Sequence, residues 1–450
     1  MSLSFSSHKI ALFSSLICLP ATFIVLFSSL PLFSKLLVFL VIALFWLSAF
    51  DFRLGFLAII FLRPVIDLSV NNILFSIGSL SVNVLSLLGA LLIALAILFI
   101  LSGKASLPAS RSTILLYAWI FFIFLGSLTL FNSFYLSESL KELLRFLSIL
   151  SAFFFGASLL RTAKDLTTLI KVIIFSALPP AILALFQLIN KTGLPDGEIY
   201  RVFGSMTHPN MLAFYLLLAI TLAVFLLLNL RRTRLEVYIY SFFALFYIFI
   251  LFFTYTRGAY LALLMVFIII GVAKFKKFLL FSIIILLFAY ALMPPLQSRF
   301  NSIFQSDPYG SVSWRFNLWR DGFSYFQERP WSGYGLGTAE KVIATKRDFR
   351  LGSPDPHNDY LRIALDGGYP LLAAYLLLLA SFFWVVLKAY LQEKRPRLKS
   401  FFLFFLAFGL AIFAMSGGDN ILNDTALQWQ MWALTGSALA STHLKKDLSD

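Results

Sequence analysis

Apolar runs long enough to cross a bilayer recur along almost the whole chain, and this repetition constrains the fold more than any other feature. About 20 apolar residues span a hydrocarbon core as a helix. Runs bounded by charged or turn residues lie at 10–30, 32–50, 54–68, 83–102, 113–131, 143–160, 166–189, 208–230, 237–255, 258–273, 278–293, 359–387, 400–416 and 425–441. The pattern predicts an all-α polytopic membrane protein with 12–14 transmembrane helices. Composition agrees: charged residues make up 13% of the chain, where a soluble domain carries roughly 25%. The run at 54–68 is short and interrupted by Arg63-Pro64, which reads as a broken or re-entrant segment. If it fails to cross, a neighbour must fail with it, and twelve spans remain.

The basic residues orient these spans. The net charge is +15, which in a soluble chain would raise nucleic-acid binding, but here the distribution matters more than the sum. With the N-terminus inside, Arg231, Arg232, Arg234, Lys274, Lys276, Lys277, Lys394, Arg395, Arg397, Lys399, Lys445 and Lys446 all fall on the cytoplasmic side. The short loops left outside hold only Lys35, Lys141, Lys191, Arg201 and Arg257. By the positive-inside rule both termini are cytoplasmic, and nucleic acid is not an expected partner. His8 and Lys9 before the first run resemble a signal peptide, yet no small-x-small site follows, so an uncleaved first span is expected. The single cysteine, Cys18, excludes a disulfide framework or a CxxC metal site.

Three organisational units follow: an N-terminal bundle over 1–189, a region over 190–441 that holds the unusual polar loops, and a cytoplasmic tail at 442–450. Residues 190–207 form a loop rich in turn formers. Residues 294–358 form a far longer one, and connections beyond about 15 residues are usually functional or disordered. Trp314, Trp319 and Trp331 argue for order in this loop. Phe316, Trp319, Phe323 and Phe326 recur at spacings of three and four, which predicts an amphipathic helix on or near the membrane surface.

Three segments on the outside carry residues unusual for that position. They are Arg201 to Asn210, Thr254 to Ala259, and Pro354 to Tyr360 followed by Gly367-Gly368. Arg257 sits in a break of a residue or two between apolar runs. An ionisable group at membrane depth usually faces a polar cavity or partner, and a guanidinium binds phosphate through a planar fork; the plainer reading is a snorkelling helix end. His357 lies just outside a span, where an imidazole can take a proton from an attacking hydroxyl, with Asp355 or Asp359 to orient it. An incidental loop histidine is the plainer reading there. His208, beside Pro209-Asn210, reads as structural, at a turn that starts a helix. No His, Cys, Asp or Glu spacing resembles a metal-ligand set. Gly333, Gly335 and Gly337 lack a strand–helix context and read as a turn rather than a nucleotide loop.

Together these segments resemble the O-antigen ligase and O-antigen polymerase superfamily. The resemblance is carried by His357-Asn358 with Gly368 ahead of a span, and by the Thr-x-Thr-Arg-Gly-Ala turn at Thr254–Ala259. Arg315 in Ser313-Trp314-Arg315, with Gly333 and Gly335 downstream, and Arg201 to Asn210 complete it. It covers about residues 190–420. What it implies is a metal-independent, inverting, lipid-linked glycosyltransferase of GT-C type, without a cofactor, in the bacterial inner membrane with its active site on the periplasmic side. Its donor would be a glycan on undecaprenyl pyrophosphate and its acceptor a hydroxyl of lipid A–core. Arg257, Arg315 and Arg201 would hold the pyrophosphate and His357 would be the base, with Asn358 and Asp419 supporting. An arginine partner for Asp419 is the simplest expectation, and Arg362 has no assigned role. A polymerase or an O-linked protein oligosaccharyltransferase of the same superfamily remains an alternative, and a transporter or flippase a third. The missing internal repeat and the polar residues gathered in surface loops count against the transporter.

Overall fold

The structure is a computed structural model that describes residues 31–78, 80–105, 110–197, 199–229, 233–292, 311–347 and 353–442, with isolated positions at 20, 22, 23, 25, 26, 28 and 297. Most of the expected first span, His8, Lys9, Cys18, Arg231, Arg232, part of the 294–358 loop and the tail beyond Thr442 lie outside these residues. The helices are α1 (Leu32–Phe50), α2 (Phe52–Ile66), α3 (Val84–Leu101), α4 (Ser110–Leu128), α5 (Leu136–Leu159), α6 (Ala163–Ser176), α7 (Leu178–Asn190) and α8 (Pro209–Asn229). They continue as α9 (Arg234–Phe253), α10 (Arg257–Ala273), α11 (Lys276–Leu292), α12 (Ser311–Glu328), α13 (Ala339–Arg347), α14 (Asp359–Gln392), α15 (Pro396–Met415) and α16 (Thr425–Ser441). Two antiparallel hairpins, β1 (Ile73–Ile77) with β2 (Leu80–Asn83) and β3 (Leu194–Asp196) with β4 (Ile199–Arg201), are the strands among the described residues. Neither hairpin has an apolar alternation that the sequence reading detected.

Among the described residues nine helices are long and apolar enough to cross a membrane, which makes this an all-α polytopic membrane protein. The expected runs at 54–68, 258–273, 278–293 and 425–441 are helices too, of 15, 17, 17 and 17 residues. The expectation of a break at Arg63-Pro64 is not met, because α2 is continuous through Pro64. Arg63 is buried there, paired with Asp67 at 2.7 Å, donating to Thr425 and stacked 5.3 Å from the Trp429 ring.

Two helices sit at the centre. Seventeen residues of α8 from Pro209 to Leu226 are buried, as is every residue of α16 from Ala426 on. Helices buried all round cannot carry a polar face unless each polar group finds a partner. Gln430 Nε2 donates to the Tyr215 hydroxyl at 2.8 Å, which lies 2.7 Å from the Ser176 hydroxyl, while its Oε1 has no partner among the described residues. Outer helices show the converse. Leu235, Tyr238, Phe242, Leu245 and Phe249 expose one apolar stripe of α9 at three- and four-residue spacing, as a lipid-facing helix requires.

A second core lies at one end of the bundle. Leu318, Phe326, Tyr334, Ala339, Val342, Ile343, Ala364 and Leu365 pack α12 and α13 against the first turns of α14. The predicted amphipathic helix is therefore present: Leu318 and Phe326 point inward, while Phe316 and Phe323 of the predicted stripe are exposed. Helix α14 breaks at Gly367 and Gly368, where Gly368 has φ +67°. A Cβ at Gly368 would stand 2.5 Å from the Pro330 carbonyl oxygen, so both the backbone angle and the close approach require glycine. The break lets the Asp366 carboxylate accept the N–H groups of Gly337, Thr338 and Ala339 at 2.8, 3.0 and 2.9 Å. The Gly333–Gly337 segment is thus the turn that the sequence suggested, with the Gly335 N–H committed to the Asp366 carbonyl and the Gly337 N–H to its carboxylate.

Candidate functional site

Four segments converge beside that second core. The first is the end of the β3–β4 hairpin. Arg201 donates from Nε to the Thr254 carbonyl at 2.9 Å and from Nη2 to Asn210 Oδ1 at 2.8 Å. Its Nη2 also lies 3.3 Å from the Thr256 hydroxyl, and Asp196 is 3.7 Å from Nη1. One guanidinium therefore ties the hairpin to the start of α8 and to the turn between α9 and α10. His208 serves the same junction. The Asn210 N–H donates to His208 Nδ1 at 3.2 Å, a capping contact that matches the structural reading. Burial first, and then the Arg201 charge, push the His208 pKa down to about 4. A base that weak is poorly matched to proton abstraction near neutrality.

The second segment is the turn before α10. Thr254 and Thr256 are buried, and Tyr255 between them adopts φ +50°. Bulky residues rarely accept a left-handed backbone, and such strain concentrates at functional sites. The turn sets Arg257 as the first residue of α10, at the end of the helix where the helix dipole favours an anion.

The third and fourth segments are stitched to each other. Arg315 on α12 donates to the Gly418 carbonyl at 2.7 Å, and the Asp359 N–H donates to the Ser416 carbonyl at 2.9 Å. Trp319 Nε1 donates to the Pro356 carbonyl at 2.7 Å, which ties the 353–358 segment to α12. His357 has φ +45° and lies edge-on to Trp314, with ring centroids 6.0 Å apart. Its Nδ1 is 3.9 Å from Asp419 Oδ1, beyond hydrogen-bond reach, and has no hydrogen-bond partner among the described residues.

These segments enclose a cavity of about 610 Å³ whose lining includes Arg201, Arg257, Arg315, His208, Asn210, His357 and Asp419. Phe214, Leu261 and Met415 supply apolar wall. Asp419 accepts from Asn210 Nδ2 at 2.6 Å and from the Asn420 N–H at 2.9 Å. Burial works to raise its pKa, but His357, the Arg315 charge and the Asn420 N–H outweigh burial and hold the carboxyl below its ordinary range. Asp419 is an anion among three guanidiniums, and Arg201 reaches it through Asn210.

The sequence expectations meet this geometry unevenly. Arg201, Arg257, Arg315, His357 and Asp419 line one cavity. Asn358 does not line it: its Oδ1 accepts the Leu361 N–H at 3.1 Å and caps α14. The carboxylate beside the His357 ring is Asp419. Asp355 instead accepts the His357 backbone N–H at 3.3 Å, and Asp359 accepts the Leu422 N–H at 3.0 Å. Asn210 was read only as part of a helix start, yet it is the bridge between Arg201 and Asp419. Arg362 now has a place: it donates to Glu142 at 3.2 Å, the same carboxylate that holds Arg145, which in turn reaches Asn423 in the Asp419 loop.

A family model described as O-antigen ligase matches residues 242–376, a stretch that contains Arg257, Arg315 and His357. No curated protein matches the chain. The matched stretch ends within α14, so the Asp419 loop and Arg201 come from outside it. Over that stretch, less than half of its length, the chain is similar to the O-antigen ligase family.

Proposed function

We propose that the chain is a metal-independent glycosyltransferase that moves a glycan from undecaprenyl pyrophosphate to a hydroxyl of lipid A–core. The observation that carries this reading is the convergence of three arginines from three separate segments and one strained histidine on one cavity. In the reaction the acceptor oxygen attacks the anomeric carbon and the bond from that carbon to the pyrophosphate oxygen breaks, with inversion. The acceptor proton passes to the His357 imidazole, and the leaving pyrophosphate takes the bonding pair. Fixed cations aimed at that developing charge stabilise the transition state without reorganising. Arg257 and Arg315 supply them, and Arg201 contributes charge while holding the turn that carries Arg257. As His357 gains its proton, the neighbouring Asp419 carboxylate stabilises the imidazolium. Residues 190–441 would form the catalytic region on the 1–189 bundle. The cavity would open on the periplasmic face of the bacterial inner membrane, with both termini cytoplasmic. The cluster Lys274, Lys276 and Lys277 at the far end of α10 supports that orientation.

The test is a transfer reaction with the full chain in nanodiscs, undecaprenyl-pyrophosphate glycan as donor, and rough lipopolysaccharide and a second lipid-linked glycan as competing acceptors. Glycan on lipopolysaccharide, lost in His357→Ala and indifferent to EDTA, is the expected result. Growth on the lipid carrier instead would make the enzyme a polymerase. Full transfer by His357→Ala would remove the base assignment.

A further inference from the structure

A second, smaller chamber of about 220 Å³ adjoins the arginine cavity. His208, Asn210, Phe214, His357 and Asp419 form the wall between them, since these residues line both. The two sides differ in kind. The larger holds Arg201, Arg257 and Arg315, while the smaller has neither lysine nor arginine. It is lined instead by Asp355 and Asp424, by Asn420 and Asn423, and by the exposed Thr207. Carboxylates and amide oxygens in such number repel a phosphate and suit the O–H groups of a polyol.

A second observation points the same way. Asn420 Oδ1 and Asp424 Oδ2 are buried acceptors with no hydrogen-bond partner among the described residues, and Asp424 is only 3% exposed. Buried acceptors left unmatched are costly, and each calls for a donor from water or a ligand. At about 30 Å³ per water the chamber has room for roughly seven waters, the scale of a single sugar ring rather than a chain.

We propose that this chamber is the acceptor subsite, and that it takes a neutral, unphosphorylated sugar whose hydroxyl reaches His357 from the side opposite the arginines. The proposal rests on the transferase reading above and deepens it. Donor and acceptor then enter from separate chambers and meet at His357 and Asp419. The same charge asymmetry keeps the pyrophosphate out of the acceptor side.

The test uses the full chain with undecaprenyl-pyrophosphate glycan and a deacylated core oligosaccharide, offered either dephosphorylated or phosphorylated. Thr207→Trp, at the exposed rim, should raise the KM for the neutral oligosaccharide at least tenfold while donor affinity stays within twofold of wild type. An unchanged acceptor KM overturns the assignment. A second readout needs neither that variant nor transfer. In Thr207→Cys, made in a Cys18→Ser background, the neutral oligosaccharide should slow maleimide labelling of the new thiol, and neither donor nor phosphorylated oligosaccharide should do so. Slowing by the donor, equal slowing by the phosphorylated form, or none at all, refutes the subsite. A chain that transfers nothing yet shows neutral-only protection overturns the transferase reading and leaves the chamber standing. Normal transfer without protection does the reverse.

Discussion

Gly156→Ala should destabilise the protein although helix propensity argues the opposite. Alanine is better than glycine inside a helix by about 1 kcal/mol, and Gly156 lies in the interior of α5. Against this, a Cβ at Gly156 would stand 2.2 Å from the Ala433 carbonyl oxygen on α16, a backbone atom that cannot rotate away. The partner helix has the matching feature, for a Cβ at Gly436 would stand 2.3 Å from the Phe153 carbonyl oxygen. Small residues let helices in a membrane approach backbone to backbone. Restoring an ordinary separation would move α5 and α16 apart by roughly 1 Å. Overpacking of this kind costs about 1–3 kcal/mol, so the net effect is a loss of up to about 2 kcal/mol. The displacement would reach the site, because α5 carries Glu142 and Arg145, and Arg145 holds Asn423 beside the Asp419 loop. Thermal unfolding in detergent reads the stability, and transfer rate reads the site. Gly436→Ala should behave alike, and the double variant should cost less than the sum, since the first change has already opened the crossing. A Gly156→Ala protein that unfolds at higher temperature than wild type would refute the reasoning.

Three further outcomes are expected. Arg201→Lys keeps the charge but not the fork, so Thr254 O and Asn210 Oδ1 are left to share the single proton of the Thr256 hydroxyl, at a cost of about 1 kcal/mol; wild-type stability and transfer in this variant would show that the junction does not depend on Arg201. The His208 imidazole has a folded pKa of about 4, below the unfolded value near 6.5. The unfolded chain therefore binds more protons between these values, so the His208 contribution is complete above pH 6.5 and is lost as pH falls toward 4. A thermal-unfolding series over that window should be shallower in His208→Gln, and an identical pH slope would contradict the assignment. Asn358→Ala should cost about 1 kcal/mol through the lost cap while transfer persists; abolished transfer at retained stability would give Asn358 a chemical role that its capping geometry does not suggest.

Much of the fold was legible because membrane insertion is read from local composition. Apolar runs became helices at Pro209–Asn229, Arg234–Phe253 and Pro396–Met415 with little change of boundary, since in hydrocarbon the backbone can satisfy itself only within the segment. The candidate site was legible in the same sense: a charge in a tight turn at Arg257 and a histidine before a span at His357 are conspicuous where lipid excludes most polar residues. Which side chains meet was a different matter. Asp419 rather than Asp355 or Asp359 lies beside the His357 ring, Asn210 joins Arg201 to Asp419, and Arg362 pairs with Glu142 from a distant helix. The split of the α12 stripe was not legible either, because Phe316 and Phe323 stay exposed while Phe326 packs into the second core. By itself the sequence determined the helices, their family resemblance and the segments that carry unusual charge, all of which follow from neighbours along the chain. Only the tertiary structure decided the partner of each polar group and the division of one site into a cationic and an acidic chamber, because those depend on packing between segments that local periodicity does not encode.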